Sequence, residues 1–335
     1  MPISPVSYIT RAATIEDNEA LNILTFVTHE RYEPNLCKTG HNFYAYTGEG
    51  IRDWNTNYAP IPENYSVLDK SMGGKQLPIH LDIDLIISQN ILAHYGIAEG
   101  ISNYLNVPIV NIHHTLPPPQ WGQEQLQALS TKTGVVDVYI TDYNKRVWGI
   151  NPDSSKVIYH GIDSDFWKPT ENVKRGSYAL SVVNDWINRD WCCGYNVWKE
   201  VTTGIPTKAI GDTPGLSQPA ESLEDLRNNY SSCGMFVNTS TYSPIPMSLL
   251  EAMSCGCAVV STATCAIPEI IENGVNGFAT NDLAEMKEYI AAVMSDDNLR
   301  DSLGKEARRT MLERFSIKRF ADEWNDIFYD IVNNA

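Results

Sequence analysis

Short and almost uninterrupted apolar runs recur along this chain, with helical patterns between them. "LNILTFVT" (Leu21 to Thr28), "IDLIISQN" (Ile83 to Asn90), "VPIVNIHH" (Val107 to His114) and "VDVYIT" (Val136 to Thr141) show little alternation of apolar and polar residues. A strand with one wet face alternates. A strand without alternation is covered on both faces, as in a parallel sheet flanked by helices. With "HNFYAY" (His41 to Tyr46) as a further strand, "YAPIPENYSVLD" (Tyr58 to Asp69) as a loop and "GIAEGISNYLN" (Gly96 to Asn106) as a short helix, the order β, β, β, α, β, α, β predicts a doubly wound α/β domain.

"KVIYHGIDSDFWKP" (Lys156 to Pro169) closes this series with a strand, a glycine turn and a proline. A second series follows: strands at "SYALSVV" (Ser177 to Val183), "PTKAIGD" (Pro206 to Asp212), "GMFVNTS" (Gly234 to Ser240) and "CAVVST" (Cys257 to Thr262), and a helix at "SLEDLRNNYSSC" (Ser222 to Cys233). Further helices place Leu283, Met286, Ile290 and Val293 on one face, then Phe320, Trp324, Ile327, Phe328 and Ile331 on another. At 335 residues the chain exceeds one compact domain. The expected division is residues 1–165, residues 166–316 and a final helix over 317–335, with an irregular arm at Met1 to Ala20. Ligands of such sheets bind beyond the carboxyl ends of the strands, so two domains facing each other would share one cleft, and function is expected there.

Hydrophobic residues at 43% and charged residues at 20% argue against wholesale disorder. A net charge of −16 means that a polyanion such as nucleic acid needs a local basic surface to overcome a repulsive field. No apolar run approaches eighteen residues and the amino-terminal stretch lacks a signal-sequence core, so a cytoplasmic protein without a transmembrane segment is expected. The seven cysteines are odd in number and contain no Cys-x-x-Cys, which points to inert thiols, with Cys255 and Cys257 at the wrong spacing for zinc. Asp82 and Asp84 precede an apolar strand instead of following it, so they read as a solvated strand entrance, not a metal site.

The densest chemistry lies in "SPIPMSLLEAMSCGCAVVST" (Ser243 to Thr262). Pro246 suits a first helical turn, where its missing N–H costs nothing, and Gly256 can supply the left-handed stop. The amides of Met247, Ser248 and Leu249 then stand unpaired at a positive helix end, a ready site for phosphate, with Ser243 available to cap that end or hold the anion. Glu251 lies one turn past Met247 on the same face, where a carboxylate can accept from both hydroxyls of a ribose. A solvent-exposed helix acid, or one placed to complement the dipole, is the alternative.

This stretch, continued through "ATCAIPEIIENGVNGF" to Phe278, resembles the carboxyl-domain signature of retaining nucleotide-sugar glycosyltransferases of family 4, the glycosyl transferases group 1 type: acid, seven residues, acid, Ala-Met, Gly, strand, Pro-Glu and Asn-Gly. "KVIYHGIDSDFWKP" resembles the family's interdomain turn, and "ARRTMLERFSIKRFADEW" (Ala307 to Trp324) its terminal helices. The resemblance is good from about Ile83 onward and weak before it. It implies a GT-B fold, two Rossmann-like doubly wound domains facing across a cleft, with the carboxyl-terminal helix packing back toward the amino-terminal domain.

It also implies roles. Glu251 matches the acid that binds the nucleotide ribose. The acid that orients the donor sugar falls at Ser243, a departure that leaves a serine or the loop amides to do so. Arg189 in "NDWINRDWCCGYNVWKE" is the match for the cation on the donor diphosphate, displaced by about a residue, while the family's lysine position is Cys193. Gly211 and Asp212 occupy the turn under the base. His113 and His114 lie where the family's histidine faces the sugar, with His114 preferred. Since neighbouring strand residues face opposite ways, one of the two belongs to the core. Trp186, Trp191 and Trp198 read as core, with stacking on a sugar or base as the alternative.

The implied activity is transfer of a hexosyl or pentosyl group from a nucleotide diphosphate sugar to an acceptor hydroxyl with retention, with no metal or other cofactor required. The acceptor is open: a glycan, a lipid-linked sugar, a small molecule or a hydroxymethylated pyrimidine in DNA, as in viral enzymes. Clustering of Arg31, Lys38, Lys70 and Lys75 would favour DNA. A catalytically inactive sugar-nucleotide binding module is the alternative from another class.

Overall fold

The computed structural model describes residues 19–77, 81–150 and 153–334. Residues 1–18 of the expected amino-terminal arm therefore lie outside the described residues. The chain divides into two compact units, one formed by residues 1–160 with 318–335 and the other by residues 161–317.

The first unit is built on seven parallel strands: β1 (Asn22–Phe26), β2 (Asn42–Tyr46), β3 (Tyr65–Val67), β4 (Leu85–Ser88), β5 (Ile109–His113), β6 (Val136–Tyr139) and β7 (Ser155–Val157), in the order β3-β2-β1-β4-β5-β6-β7. In β1, which pairs Ile23 with both Phe43 and Leu85, every residue is buried, as in β4 and β5, which is what the unbroken apolar runs required. β3 is a correction to the reading of Tyr58 to Asp69 as loop. Only three residues long, at the sheet edge and preceded by Pro60 and Pro62, it has no apolar run to reveal it. Connecting helices are α1 (Glu33–Leu36), α2 (Tyr95–Leu105), α3 (Gln123–Gln127) and α4 (Asp142–Trp148). The core gathers Leu24, Phe26, Ile86, Tyr139 and Trp148.

The second unit has five parallel strands, β8 (Ala179–Val182), β9 (Thr207–Ile210), β10 (Met235–Asn238), β11 (Val259–Ser261) and β12 (Phe278–Ala279), in the order β12-β11-β10-β8-β9. Its helices are α5 (Asp190–Cys193), α6 (Tyr195–Val201), α7 (Leu223–Ser232), α8 (Met247–Ser254), α9 (Leu283–Ser295) and α10 (Asp297–Arg314). The predicted stripe of α9 is buried at Met286, Ile290 and Val293 against Val237 and Val260 of the sheet. In both sheets the chain reverses its direction of winding beside the first strand, between β1 and β4 and between β8 and β10. A crevice opens at the carboxyl ends of such strand pairs.

The last helix, α11 (Ile317–Asn334), returns the chain to the first unit. Phe320 meets the ring of Tyr32, Phe328 meets His41, and the Arg319 guanidinium donates to the carbonyls of Tyr159 and His160 at 2.8 and 2.9 Å. The periodic aromatic face read from the sequence is the face that is buried.

Candidate functional site

In the second unit α8 follows the loop that leaves β10 (Thr239 to Pro246). Pro246 is extended (φ −72°, ψ 127°) and stands just before the first helical residue, so the helix begins at Met247. The opposite end closes as read: Gly256 is left-handed (φ +69°) and its amide donates to Met253 O. The Arg175 guanidinium donates to the carbonyls of Cys255 and Gly256 at 3.1 and 2.6 Å, a cation on the negative end of the helix.

At the positive end the expected trio of free amides is corrected to two. Leu249 N–H donates to Pro246 O at 3.1 Å, a tight first turn, while Met247 and Ser248 N–H have no partner among the described residues. Ser243 does not cap the helix: no side chain accepts from its first turn, and Ser243 is half-buried in the loop. That loop is fixed from both sides. Thr262 and Thr264 hydroxyls donate to Ser240 O, and Ala266 N–H donates to Pro244 O, from the β11 side. From the β8 side, Thr239 Oγ1 donates to Gly194 O and the amides of Thr241 and Tyr242 donate to Cys192 O. Amides held this way need little reorganisation to meet an anion.

Glu251 is only 2% exposed, which removes the reading of a solvent-exposed helix acid. A carboxylate is costly to enclose without partners. Here its Oε2 accepts from the Tyr230 hydroxyl at 3.1 Å, and Tyr230 is itself packed between Trp167 and Phe236.

Arg189, Gly211 and Asp212 follow β8 and β9, and β8 lies between β9 and β10, the strand that leads to α8. Arg189 precedes α5 on the loop after β8, is exposed, and its guanidinium has no partner among the described residues. Gly211 directly follows β9 with φ +131°, and a Cβ there would lie 2.1 Å from Val183 O, so only glycine permits this approach. Asn184 Oδ1 accepts from Asp212 N–H at 2.9 Å, and Asp185 N–H donates to Asp212 O at 2.7 Å, stitching the β8 and β9 loops. Gly194 has the same necessity, since a Cβ would meet Thr239 O at 1.9 Å.

In the first unit the two histidines separate. His113 is a correction: its ring is enclosed, stacked on Tyr139 at 4.4 Å and 3.1 Å from Asp137 Oδ1, because the alternation of β5 turns it inward. His114, half-buried, leaves the carboxyl end of β5. Its Nε2 lies 2.6 Å from Gln89 Oε1, and Gln89 Nε2 donates to Thr25 Oγ1. An amide oxygen can only accept, so His114 Nε2 carries the hydrogen and Nδ1 is left as an acceptor. Burial, reinforced by the neighbouring imidazoles of His160 and His29, holds His114 well below the usual imidazole range, so it is neutral.

Other expectations change. Asp84 is not solvated: it is buried and accepts Asn22 N–H at 2.7 Å, while Asp82 is exposed. Lys70 is ion-paired with Asp53 at 2.9 Å. Trp186 and Trp198 are core residues but Trp191 is exposed. Among the described residues no three His, Cys, Asp or Glu side chains converge as a metal-binding group. No helix there is long and apolar enough to cross a membrane. Tyr230 and Arg175 carried no sequence signal, the first being one of several polar residues in α7. Gln89 carried one, a polar residue directly after a buried strand.

A model of the family described as glycosyl transferases group 1 matches residues 218–310, the segment that contains α8. Alpha-maltose-1-phosphate synthase of Mycobacterium tuberculosis is 30% identical over 283 residues, covering 67% of this chain and 73% of that protein. Among solved structures, Anabaena HepE in complex with UDP superposes with a TM-score of 0.72 at 16% identity, covering 93% of this chain and 100% of that one. Sucrose-phosphate synthase of Thermosynechococcus elongatus gives 0.71 at 12% identity, over 94% and 100%. The two parallel sheets are thus the Rossmann-like domains of the GT-B fold, and the chain belongs to the glycosyl transferases group 1 family.

Proposed function

We propose that this glycosyltransferase moves a hexosyl or pentosyl group from a nucleotide diphosphate sugar to an acceptor hydroxyl with retention of configuration. The observation that carries the reading is α8: two open amides at its positive end and a buried, tyrosine-held carboxylate one turn deeper, the spacing of a diphosphate and its ribose. Met247 and Ser248 amides and the unpaired Arg189 would meet the charge that grows on the diphosphate as its bond to the anomeric carbon lengthens. Gly211 and Asp212 would lie under the base, and Ser243 with its loop amides near the donor sugar. His114, neutral with Nδ1 as acceptor, suits a sugar hydroxyl as its partner.

In the proposed step the acceptor oxygen bonds to the anomeric carbon on the face the diphosphate leaves, and the departing phosphate oxygen takes the acceptor's proton. No protein base is required, so serine at position 243 is compatible with turnover. The proposed stabilisation draws on no metal ion, and a chelator should leave turnover unchanged.

HepE has been solved with UDP and with UDP-glucose, which makes uridine donors the first probes here. Calorimetric titration of Glu251→Ala should show nucleotide affinity reduced by at least about tenfold, the scale of hydrogen bonds to a charged group. Unchanged affinity and turnover would refute the assignment. A thermal-shift panel of nucleotide sugars should identify the donor, since a ligand bound to the native state stabilises it by mass action.

A further inference from the structure

The short helix α5 after β8 and the loop after β10 carry an aromatic pair to which the donor contacts above assign no task. Of the three tryptophans in this region, Trp186 and Trp198 are buried together, with the Trp186 indole N–H donating to Cys193 O at 2.9 Å. Trp191 is 61% exposed, and its ring lies 6.1 Å from that of Tyr242 at an interplanar angle of 39°. Indoles are normally covered in folded proteins, so a bare one beside a candidate ligand site needs a reason.

The pair stands on a fixed base. Trp191 O accepts from the Thr241 hydroxyl at 2.9 Å, and the next carbonyl, Cys192 O, accepts both the Thr241 and Tyr242 amides at 2.9 and 3.1 Å. Helix α5, which carries Trp191, and the loop that carries Tyr242 are therefore held together by hydrogen bonds to main-chain carbonyls. Exposed Arg189 is two residues from Trp191, and Tyr242 directly precedes Ser243.

We infer that Trp191 and Tyr242 form a stacking platform for the pyranose ring of the donor sugar. The inference rests on the donor reading above and specifies its sugar end. Two points of that reading favour a sugar over the base. The base is assigned to the Gly211 turn after β9, an edge strand, whereas Trp191 and Tyr242 rise from the central pair β8 and β10. Tyr242 also adjoins Ser243, where the resemblance implies a sugar-orienting acid, so on the donor reading an apolar face stands where a charged hydroxyl partner is missing. The C–H face of a hexopyranose packs on an aromatic ring by dispersion, and an indole supplies the largest such surface. A donor held this way is read by the continuity of its C–H face more than by each hydroxyl.

The test compares binding of a nucleoside diphosphate with binding of its sugar conjugate, using UDP and UDP-glucose or whichever pair stabilises the wild type most. Trp191→Ala should leave affinity for the nucleoside diphosphate within about twofold and lower affinity for the sugar conjugate about fivefold to tenfold. Trp191→Phe should recover most of the loss, and Tyr242→Ala should repeat the pattern more weakly. Because Trp191 is exposed, its melting temperature should match the wild type and serves as the folding control. Equal losses for nucleotide and conjugate, or no loss for either, would overturn the platform while leaving the donor reading intact. Wild-type protein that binds no nucleotide in the panel would overturn both.

Discussion

All seven histidines of the chain precede Gly161, whereas six of the seven cysteines follow it, so buried imidazoles belong to the first unit and most buried thiols to the second. In the first unit burial drives His41 and His94 down to about 4 and His160 down to about 3, with charge repulsion from His29 contributing at His160. In the second, burial pushes Cys193 up to about 12 and holds Cys233 and Cys255 well above the usual thiol range. Cys257 is the exception: burial opposes ionisation there too, but the Cys233 thiol at 3.7 Å and the Arg175 guanidinium at 3.8 Å outweigh it and lower its pKa. A buried imidazole becomes costly in acid and a buried thiol in alkali. Acid therefore loads the first unit through its imidazoles, while alkali loads buried groups in both units, Cys37 and Tyr65 in the first among them.

Acidification should give the largest effect. Between an unfolded imidazole value near 6.5 and the lower folded values, the unfolded chain binds protons that the folded chain does not, so stability is present above that range and is lost as pH falls through it. Glu33 works the other way. Burial raises it to about 7, against the hydrogen bond from Tyr65, so its contribution is present in acid and is lost as pH rises through that value. Each tenfold difference in proton affinity is worth about 1.4 kcal/mol, and four imidazoles outweigh one carboxyl. Hydrogen exchange followed from about pH 7.5 to about pH 5 should therefore lose protection in residues 19–160 and 318–334 while residues 161–317 hold. Equal loss in both units would break the comparison.

Arg175→Met should act on the second unit in the same measurement. It strands the carbonyls of Cys233, Cys255 and Gly256, which accept from the guanidinium, leaves Tyr230 O to the thiols of Cys233 and Cys257, and removes the cation from the end of α8. A loss of about 3 kcal/mol in denaturant unfolding is expected, with protection falling first around α7 and α8. A loss below about 1 kcal/mol would mean that water replaces the guanidinium at little cost.

The same contrast explains what the sequence made legible. In the second unit, Pro246, Gly256 and Glu251 sit in one stretch whose caps and spacing follow local rules, and the helix forms where they indicate. Its supports, Arg175 and Tyr230, reach it across the fold from residues with no distinctive local context, so no pattern marks them. In the first unit the buried strands were equally legible, but the loop after β1 was not. "THERYEPNLCKTG" shows no apolar periodicity, yet it contains α1, with the buried Glu33 accepting the amides of Thr28 and His29 and the Tyr65 hydroxyl. A glutamate that caps a loop from inside a core looks the same in sequence as one on a surface.

Tyr230→Phe should give the smallest effect and the sharpest discrimination. The substitution keeps the ring between Trp167 and Phe236 and deletes one hydroxyl, so the packing of the second unit is preserved. What is lost is the 3.1 Å hydrogen bond to Glu251 Oε2. If that bond serves to aim the carboxylate at a ribose, nucleotide affinity should fall about threefold to tenfold, the worth of a hydrogen bond to a charged group in a competent site, while melting temperature shifts by only about 1–3 °C. If it serves to solvate a buried charge, stability should fall and the affinity of the remaining folded protein should not. The first outcome makes Tyr230 a positioning residue for the donor site; the second assigns it to the fold alone. Protection in the first unit should be unmoved in either case, because no hydroxyl or carboxylate there is touched.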